Sequence, residues 1–330
     1  MKIKLEKLQN LINDCLKTIY EEHEASLVTD VVMSAEMAGR KTHGIARLIA
    51  AEHAVLEECP IEKPEIKRKS NISATIDAKG NNGMVVSALA MNEALKMAKE
   101  NGIGIVGTHG SESTSGALSI YLEKIADQDM IGIMLSKSAI RVAPHGSRER
   151  LFGTNPIGVC FPTSERPFIL DMTTAAASYG EIYQAKIKGE MIRDNVAIDK
   201  EGNITRDPKK ALEGSILSFD RSYKGSNLAL LVEFFAGLLP GAGFMDLHTE
   251  DKWGNFFLVM KPDLLMDLDE YKAKADEFIT RLKKTRTISG REMRISGESS
   301  LKKKEEILNA GEIDVDEKVV NNLKEFLKNN

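Results

Sequence analysis

The sequence of 330 residues has few cysteines, no excess of positive charge and no long apolar run. Its three cysteines, Cys15, Cys59 and Cys160, lie far apart and outside any CxxC pattern, which excludes a disulfide framework and a zinc site of the usual spacing. We expect all three to be reduced thiols. Lysine and arginine number 45 against 49 aspartate and glutamate residues. The net charge of −4 gives no electrostatic footprint for phosphate backbones, so we expect no nucleic-acid partner.

The apolar segments are too short or too interrupted to cross a bilayer. The longest, at 228–239, contains Glu233 and falls short of the roughly 20 residues that a spanning helix needs. The segment at 1–16 alternates charged and apolar side chains, unlike the continuous apolar region of a signal peptide. We therefore expect a cytoplasmic protein with no membrane partner.

Several catalytic and nucleotide-binding motifs are also missing. Without GxxxxGK[ST], HExxH or GxSxG, the chain lacks the usual markers of P-loop nucleotide hydrolysis, zincin proteolysis and α/β-hydrolase chemistry. GIGIVG at 102–107 matches the GxGxxG of Rossmann folds. However, a predicted helix precedes these glycines and a predicted strand follows them, which reverses the order that the Rossmann fingerprint requires. We predict instead that Gly102 ends the preceding helix in the left-handed conformation.

The order of the predicted elements indicates an α/β protein with helical ends. Residues 1–60 keep apolar side chains at helical spacing, which predicts helices, the second of them from about residue 26 to 58. A charged connector is predicted at 61–70, and alternation at 72–78 predicts a strand. Residues 267–285 and 313–330 are charged amphipathic segments similar to the N-terminal one. We predict that the N-terminal and C-terminal ends pack together beside a central α/β body. The predicted central elements are helices at 86–99, 116–128 and 227–238 and strands at 104–108, 131–135, 157–161, 168–172 and 254–260.

The segment THGIARL at 42–48 combines a proton-transfer group with a cation. On a helix, His43 and Arg47 lie four residues apart and share a face. The guanidinium can hold a carboxylate with two hydrogen bonds while the imidazole serves a neighbouring hydroxyl or carbonyl. This pairing suits a 2-hydroxy or 2-oxo acid, although the same spacing also occurs on ordinary surface helices.

Two further regions carry the residue types of a phosphate or ribose site. The loop at 143–155 is rich in arginine, glycine and proline, and Asp171 follows at the end of a predicted strand. Glycine lets the backbone approach a phosphate, and a strand-end acid can accept hydrogen bonds from ribose hydroxyls. Tyr223 and Lys224 precede an apolar helix, whose N-terminal amides attract anions. From residue types alone, an ordinary loop and a capped helix explain these regions equally well.

Taken in order along the chain, these segments resemble the malate/L-lactate dehydrogenase family, whose NAD(P)-dependent oxidoreductases lack a Rossmann fold. The motifs that carry the resemblance are THGIARL (42–48), GNNG (80–83), GIGIV (102–106), GTNP (153–156), LDMTT (170–174), DKEGN (199–203), YKGSNLALLVE (223–233), GNFF (254–257) and SGES (296–299). The family also includes ureidoglycolate, sulfolactate and diketogulonate oxidoreductases and a piperideine-2-carboxylate reductase. The resemblance implies that a small 2-hydroxy acid and its 2-oxo acid are interconverted by hydride transfer to or from NAD or NADP.

The resemblance also implies an architecture. It predicts an α/β fold specific to the family, with a large, mostly antiparallel sheet and a helical portion from both chain ends. Residues 1–70 and 285–330 would form this helical portion, which serves the substrate and the dimer contact, and residues 71–284 would form the central NAD(P)-binding domain. We further expect a homodimer with active sites near the subunit contact, and no bound metal.

Residue roles are implied by matching the motifs one by one. His43 is implied to be the catalytic acid or base, and Arg47 the anchor of the substrate carboxylate. The residues implied to contact the dinucleotide are Ser138, Asn155, Asp171, Met172, Thr173, Thr174, Tyr223, Lys224, Gly297, Glu298 and Ser299. The hydride chemistry belongs to the cofactor, so the protein need only hold the nicotinamide beside the substrate and move the proton.

The chain departs from the family pattern at three places near the implied site. Ser113 aligns with a second active-site histidine, Ala51 with a tyrosine, and Val85 and Val86 with a glycine-glutamine pair. His109 lies four residues before Ser113 and could compensate for the missing histidine. These departures leave two alternatives open, which are reduction of a cyclic or open 2-imino acid and dinucleotide binding without catalysis.

Overall fold

The computed structural model describes residues 1–49, 54–57, 62–244 and 253–330, most of which surround a seven-stranded sheet. The strands are β1 (Lys2–Lys4), β2 (Glu65–Ser70), β3 (Ser73–Asp77), β4 (Ile103–Ser111), β5 (Ile131–Lys137), β6 (Ile157–Phe161), β7 (Phe168–Met172), β8 (Ala197–Ile198), β9 (Ile204–Thr205), β10 (Ser215–Ile216), β11 (Trp253–Met260) and β12 (Glu312–Asp314). The α-helices are α1 (Leu5–Lys17), α2 (Glu22–Met37), α3 (Ala46–Ile49), α4 (Gly83–Asn101), α5 (Leu118–Ala126), α6 (Tyr179–Lys188), α7 (Pro208–Glu213), α8 (Tyr223–Val232), α9 (Leu268–Lys283), α10 (Glu298–Ala310) and α11 (Glu317–Asn329). Turns of 3₁₀-helix occupy Lys41–His43, Val55–Glu57 and Pro262–Leu264, and a π-helical turn at Glu233–Leu238 continues α8.

The large sheet has the strand order β2-β3-β4-β11-β5-β6-β7. Strands β3 and β4 are parallel, whereas the other neighbouring pairs are antiparallel. The central strand, β11, pairs Phe257 with Val106 on one side and with Met134 on the other. These observations confirm the predicted α/β fold with a large, mostly antiparallel sheet.

Neighbouring aromatic residues of β11 bury opposite faces of the sheet, because successive side chains of a strand alternate. Phe257 is fully buried on the face covered by α4 and α5, where its ring meets the edge of Tyr121 at a centroid distance of 6.2 Å. Phe256 belongs to a smaller cluster on the other face, with Val232 and Ala236 from α8 and the π-helical turn. The sheet therefore has helical cover on both faces.

Both chain ends pack together, as the sequence predicts. Strand β1 pairs antiparallel with β12, so that Ile3 lies opposite Ile313. Leu8 of α1 and Leu323 of α11 are fully buried and belong to the same cluster as the core of the large sheet. The helical portion from both ends is thus confirmed, while the division at residues 70 and 285 stays a prediction.

The glycines at 102–107 do not form a dinucleotide fingerprint. Gly102 follows α4 with φ of +86°, and its N–H donates to the carbonyl of Ala98 over 2.8 Å. The next residue begins β4. The prediction that Gly102 ends a helix in the left-handed conformation is therefore confirmed.

Some predicted elements are wrong in type or extent. The segment at 61–70 is predicted to be a charged connector, yet its described part contains β2, an edge strand whose residues are all exposed and show no apolar alternation. The continuous helix predicted from residue 26 to 58 instead stops with α2 at Met37 and is followed by short turns. Part of that segment, including Cys59, lies outside the described residues. Cys15 and Cys160 are buried free thiols.

A small lobe at residues 175–218 is missing from the sequence-based prediction. It contains α6, α7 and a sheet of order β10-β8-β9. Ile182, Val196 and Ile216 form part of its separate apolar cluster, together with Val142 and Phe152. Its strands have only two residues each, too few to show a period of alternation.

The burial of Phe257 makes it a sharp test of this core. We expect Phe257→Ala to lower the free energy of unfolding by about 3–5 kcal/mol, because the ring is lost from a packed site between α5 and the sheet. Phe278→Ala is the matched control, since Phe278 on α9 is 65% exposed. Urea denaturation measures both. Equal losses in the two variants would contradict the assigned core.

Candidate active site

Three adjacent central strands, β4, β11 and β5, have their termini together at one end of the sheet. A pocket of about 200 Å³ lies at this end. Trp253 begins β11 opposite Ser111 at the end of β4, and the next residue of β11 lies opposite Lys137 at the end of β5. The β4–β11 register shifts here, a bulge of the kind common beside active sites. The other walls come from the segment after α2 and from α6. Six residues of the lining are His43, Arg47, Ser138, Arg141, Tyr179 and Trp253.

His43 and Arg47 line this pocket together, but they do not share a helix. His43 ends the 3₁₀ turn, Gly44 follows, and Arg47 lies in the short helix α3. The predicted continuous helix is therefore wrong at this position. His43 Nδ1 lies 3.0 Å from the hydroxyl of Thr42, which also lines the pocket.

The surroundings of His43 keep its imidazole neutral. Burial lowers the pKa of His43 to about 4, the nearby Asp171 carboxylate opposes this change, and the cations Arg47 and Arg40 add to it. Asp171 is held by Arg40 Nη1 at 3.3 Å and by the backbone N–H of Ser119 at 3.0 Å. Asp171, implied by resemblance to be a cofactor residue, thus acts electrostatically on His43.

Four of the residues implied to bind the dinucleotide form one hydrogen-bonded group around Thr154. Asn155, buried with φ of +36°, accepts from the N–H of Ser138 over 3.2 Å. The hydroxyls of Thr173 and Thr174 donate to the carbonyl oxygens of Thr154 and Asn155 over 2.6 and 3.0 Å. Ser138 and Thr154 line the pocket, whereas Asn155, Thr173 and Thr174 are not among its lining residues and support these two through the hydrogen bonds.

The other implied cofactor residues also lie outside the pocket lining, so that Ser138 alone of the implied set is in it. Met172 ends β7, and Tyr223 and Lys224 are exposed in the first turn of α8. Gly297, with φ of +90°, packs against Ile169 of β7, where a Cβ would lie 3.0 Å from a carbonyl oxygen. Glu298 pairs with Lys283, and Ser299 follows it in α10. A cofactor role for these residues stays a prediction.

Sequence reasoning misses the aromatic and cationic wall on the other side of the pocket. The guanidinium carbon of Arg141 lies 4.8 Å from the centroid of the Tyr179 ring, and Tyr179 stacks on Tyr183 at 6.3 Å. The signal that could have found α6 is a capping box, in which Ser178 accepts from the N–H of Glu181. Trp253 gives no local signal, because only the pairing of distant strands brings it to the pocket.

The residues that depart from the family pattern have defined places. Ser113 is buried at the pocket wall, and its hydroxyl accepts from the N–H of Gly83 over 3.0 Å. His109 faces Asp77 at 3.8 Å and is not among the residues that line the pocket, which argues against compensation. Val86 is fully buried in α4, and Ala51 lies outside the described residues.

Comparisons with known proteins agree with this geometry. A family model described as malate/L-lactate dehydrogenase matches residues 3–324. The chain belongs to the malate/L-lactate dehydrogenase family. The L-sulfolactate dehydrogenase of Methanocaldococcus jannaschii is 34% identical over 99% of this chain and 96% of its own length. Its solved structure superposes with a TM-score of 0.85, covering 100% of this chain and 97% of the other.

Two further members of the malate/L-lactate dehydrogenase family extend the comparison. The malate/(S)-sulfolactate dehydrogenase of Methanothermus fervidus is 34% identical over 93% of this chain and 91% of its own length. A Δ1-pyrroline-2-carboxylate/Δ1-piperideine-2-carboxylate reductase of Pseudomonas putida is 29% identical over 85% of this chain and 83% of its own length. Family membership confirms the predicted class of enzyme, an NAD(P)-dependent oxidoreductase of 2-hydroxy and 2-oxo acids.

Within the described ranges, no helix is both long and apolar enough to cross a membrane. In the same ranges, no group of three or more His, Cys, Asp or Glu side chains is arranged to hold a metal ion.

The charges around His43 can be tested directly. We expect Arg40→Gln to raise the pKa of His43 above about 4, because the substitution removes one of the cations that lower it. NMR titration of the histidine ring measures this pKa, and His43→Gln identifies the resonance. Arg68→Gln is the matched control, since Arg68 pairs with Glu93 at 2.6 Å and is not among the pocket-lining residues. An unchanged or lower pKa in Arg40→Gln would contradict the assigned electrostatics.

Proposed function

We propose that this protein interconverts a small 2-hydroxy acid and its 2-oxo acid in the pocket that contains His43 and Arg47. The observation that carries the proposal is that a neutral histidine and an arginine line one small pocket. The arginine can hold the carboxylate, while the histidine exchanges a proton with the 2-hydroxyl or 2-oxo group. NAD or NADP is the partner in hydride transfer.

The pocket wall around Thr154 suits a nicotinamide. Its carboxamide has both donors and acceptors, and the hydroxyls of Ser138 and Thr154, 3.2 Å apart at the pocket, can serve either kind of atom. We assign Ser138, Asn155, Thr173 and Thr174 to holding this end of the cofactor, and Tyr223, Lys224 and the turn at 297–299 to its more distant parts. When bound, the nicotinamide supplies or accepts the hydride.

The low pKa of His43 gives the two directions different pH dependence. At neutral pH the imidazole is uncharged and can accept the proton of a 2-hydroxyl, so it serves directly as the base for oxidation. Asp171 then stabilises the imidazolium that forms, and Arg40 holds Asp171 in place. Reduction requires the protonated imidazole, so the rate of reduction should rise as the pH falls toward the pKa of His43.

A second arginine bears on the choice of substrate. Arg141 lines the same pocket as Arg47, against the face of Tyr179. Two guanidinium groups in one pocket favour an acid with an anionic group at each end. This agrees with relatives that are named for malate and sulfolactate. We therefore expect dianionic 2-oxo acids to be used better than pyruvate.

One observation favours a different acceptor. Ser113 cannot supply the proton that a second histidine would, and its hydroxyl already accepts from Gly83. A C=N group that is protonated in solution needs less help than a carbonyl, so reduction of a 2-imino acid is the second candidate. The P. putida relative is named for such a reaction.

A titration with substrates tests the proposal and separates the candidates. Purified protein is titrated with NADH and with NADPH, followed by nicotinamide fluorescence. Pyruvate, dianionic 2-oxo acids and cyclic imino acids are then added in turn. Oxidation of the reduced cofactor by a 2-oxo acid supports the main proposal, and oxidation by imines alone supports the second candidate. Binding without any turnover would leave a binding protein, and a folded protein that binds neither dinucleotide would contradict all three.

The role of His43 gives a kinetic prediction. We expect His43→Ala to lower kcat for the best substrate by about 10²–10⁴ while dinucleotide affinity is unchanged, because only proton transfer is removed. His109→Ala is the control and should keep wild-type kcat. Steady-state kinetics and cofactor titration measure both quantities. Turnover of every substrate within tenfold of wild type in His43→Ala would exclude the assigned mechanism.

We also propose that the protein is a homodimer. The end of α8 and the π-helical turn carry a large exposed apolar face, formed by Leu231, Phe234, Phe235, Leu238 and Leu239. Their exposed fractions run from 40% to 69%, which is unusual for neighbouring large apolar side chains in a monomer. A second copy of the chain is the occupant that agrees with the homodimer implied by family resemblance, although that resemblance places the dimer contact in the portion from both chain ends and this face lies in the central domain.

Sedimentation velocity tests the dimer. We expect the wild type to sediment as a dimer and Phe234→Glu to shift it toward monomer, because a charge would be buried in the apolar contact. Phe278→Glu on α9 is the matched control, with a similarly exposed side chain. A monomeric wild type, or equal behaviour of the two variants, would contradict this assignment of the interface.

A further inference from the structure

Glu36 is a buried carboxylate in α2 that the proposed mechanism does not use. Its side chain is 2% exposed, although charged side chains are seldom buried without specific partners. Lys41 Nζ pairs with Oε1, and the backbone N–H of Ile45 donates to Oε2 over 3.1 Å. These two partners flank His43, one on each side along the chain. Among the described residues, the polar contacts of the carboxylate are thus made with the segment that carries His43.

Gly44 is the residue that lets the carboxylate reach this segment. A Cβ at position 44 would overlap Glu36 Oε2 and would lie 3.1 Å from the Cα of Glu36. The backbone of Gly44 has φ of −86°, so the glycine is not needed for a left-handed turn. The glycine of THGIARL is therefore required by its packing against Glu36.

The same segment carries Arg47. The N–H of Arg47 donates to the carbonyl of Gly44 over 2.9 Å, and the N–H of His43 donates to the carbonyl of Arg40 over 2.9 Å. A shift of the backbone at 44 and 45 would therefore move both pocket side chains. At the start of the segment, Lys41 also donates to the carbonyl of Asp314 over 3.3 Å.

We propose that Glu36 is a positioning residue, whose carboxylate fixes residues 41–45 so that His43 and Arg47 face the substrate together. This inference rests on the proposed function. It assigns to Glu36 no contact with substrate or cofactor, because Glu36 is not among the residues that line the pocket.

Glu36→Ala and Glu36→Gln test this role, with Glu123→Gln as the matched control. Glu123 is a half-buried carboxylate that pairs with Lys304 at 2.8 and 2.9 Å and is not in the pocket lining. We expect Glu36→Ala to lower kcat/KM for the acid about a hundredfold, since misplacing catalytic groups by about 1 Å has effects of that size. Glu36→Gln keeps an acceptor for the N–H of Ile45 but loses the ion pair, so its loss should be smaller. Dinucleotide affinity should be unchanged in all three variants.

A double-mutant cycle with Gly44→Ala adds a readout that a general loss of stability would not reproduce. Gly44→Ala should lower kcat/KM as Glu36→Ala does, because the new methyl group pushes the carboxylate away. In Glu36→Ala/Gly44→Ala the overlap with Oε2 is absent and only the approach of 3.1 Å to the Cα at position 36 remains, so the double variant should be no worse than the poorer single variant. Losses that multiply in the double variant would overturn the proposal. So would losses in Glu36→Ala that follow the folded fraction or dinucleotide affinity.

The inference can also be separated from the proposed function. If the wild type turns over no acid, the function is wrong, and amide hydrogen exchange then decides the role of Glu36. Glu36→Gln should loosen the segment and speed the exchange of the N–H groups of Ile45 and Arg47, whereas Glu123→Gln should leave their exchange unchanged. Unchanged exchange at both groups in Glu36→Gln would overturn the positioning role.

Discussion

The insertion of β11 between β4 and β5 is the constraint on which the rest of the structure depends. Because β11 runs antiparallel to both neighbours, its first residues lie beside the last residues of β4 and β5 at one end of the sheet. The same strand carries Phe256 and Phe257 to opposite faces, where they anchor the helical layers. The central strand thus organises both the core and the pocket, although it is separated from its partners by more than a hundred residues.

The parts of this fold that local patterns encode could be predicted. The apolar strands β6 and β7 have the predicted limits, and Gly102 ends α4 because a glycine follows a helical run. Strand β2 escaped prediction because an edge strand with both faces in water has no apolar alternation. The lobe with α6 and α7 was not predicted, because strands of two residues are stabilised by tertiary contacts and are too short to show an alternation of apolar and polar residues.

The pocket divides in the same way. His43 and Arg47 could be found because both lie in one short motif, yet the shared helix that their spacing predicts is wrong, since Gly44 interrupts it. Arg141, Tyr179 and Trp253 come from three distant segments and carry no shared motif. Only strand pairing and the docking of α6 bring them together, and these tertiary contacts cannot be predicted from the spacing of the residues along the chain.

Buried carboxylates recur around the pocket, and each accepts a hydrogen bond from a residue of another segment. Asp171 accepts from the N–H of Ser119, Glu36 from that of Ile45, and Glu233 from the side chain of Asn155 over 2.7 Å. Burial raises the pKa of Glu233, whereas the amide of Asn155 and the charge of Lys137 oppose that change. Charge is therefore used here to fix geometry, and hydrogen bonds to main chain and amide groups offset only part of the cost of desolvation at Glu233, whose pKa stays raised.

The single tryptophan of the chain lies at the wall of this pocket. All indole emission from the folded protein consequently arises at one place, beside the end of β4 and within the bulged register of β11. A reduced nicotinamide absorbs where tryptophan emits, so energy transfer from Trp253 would report the distance to a bound cofactor without any added label. Trp253 is thus a single energy-transfer donor at a fixed position in the folded protein.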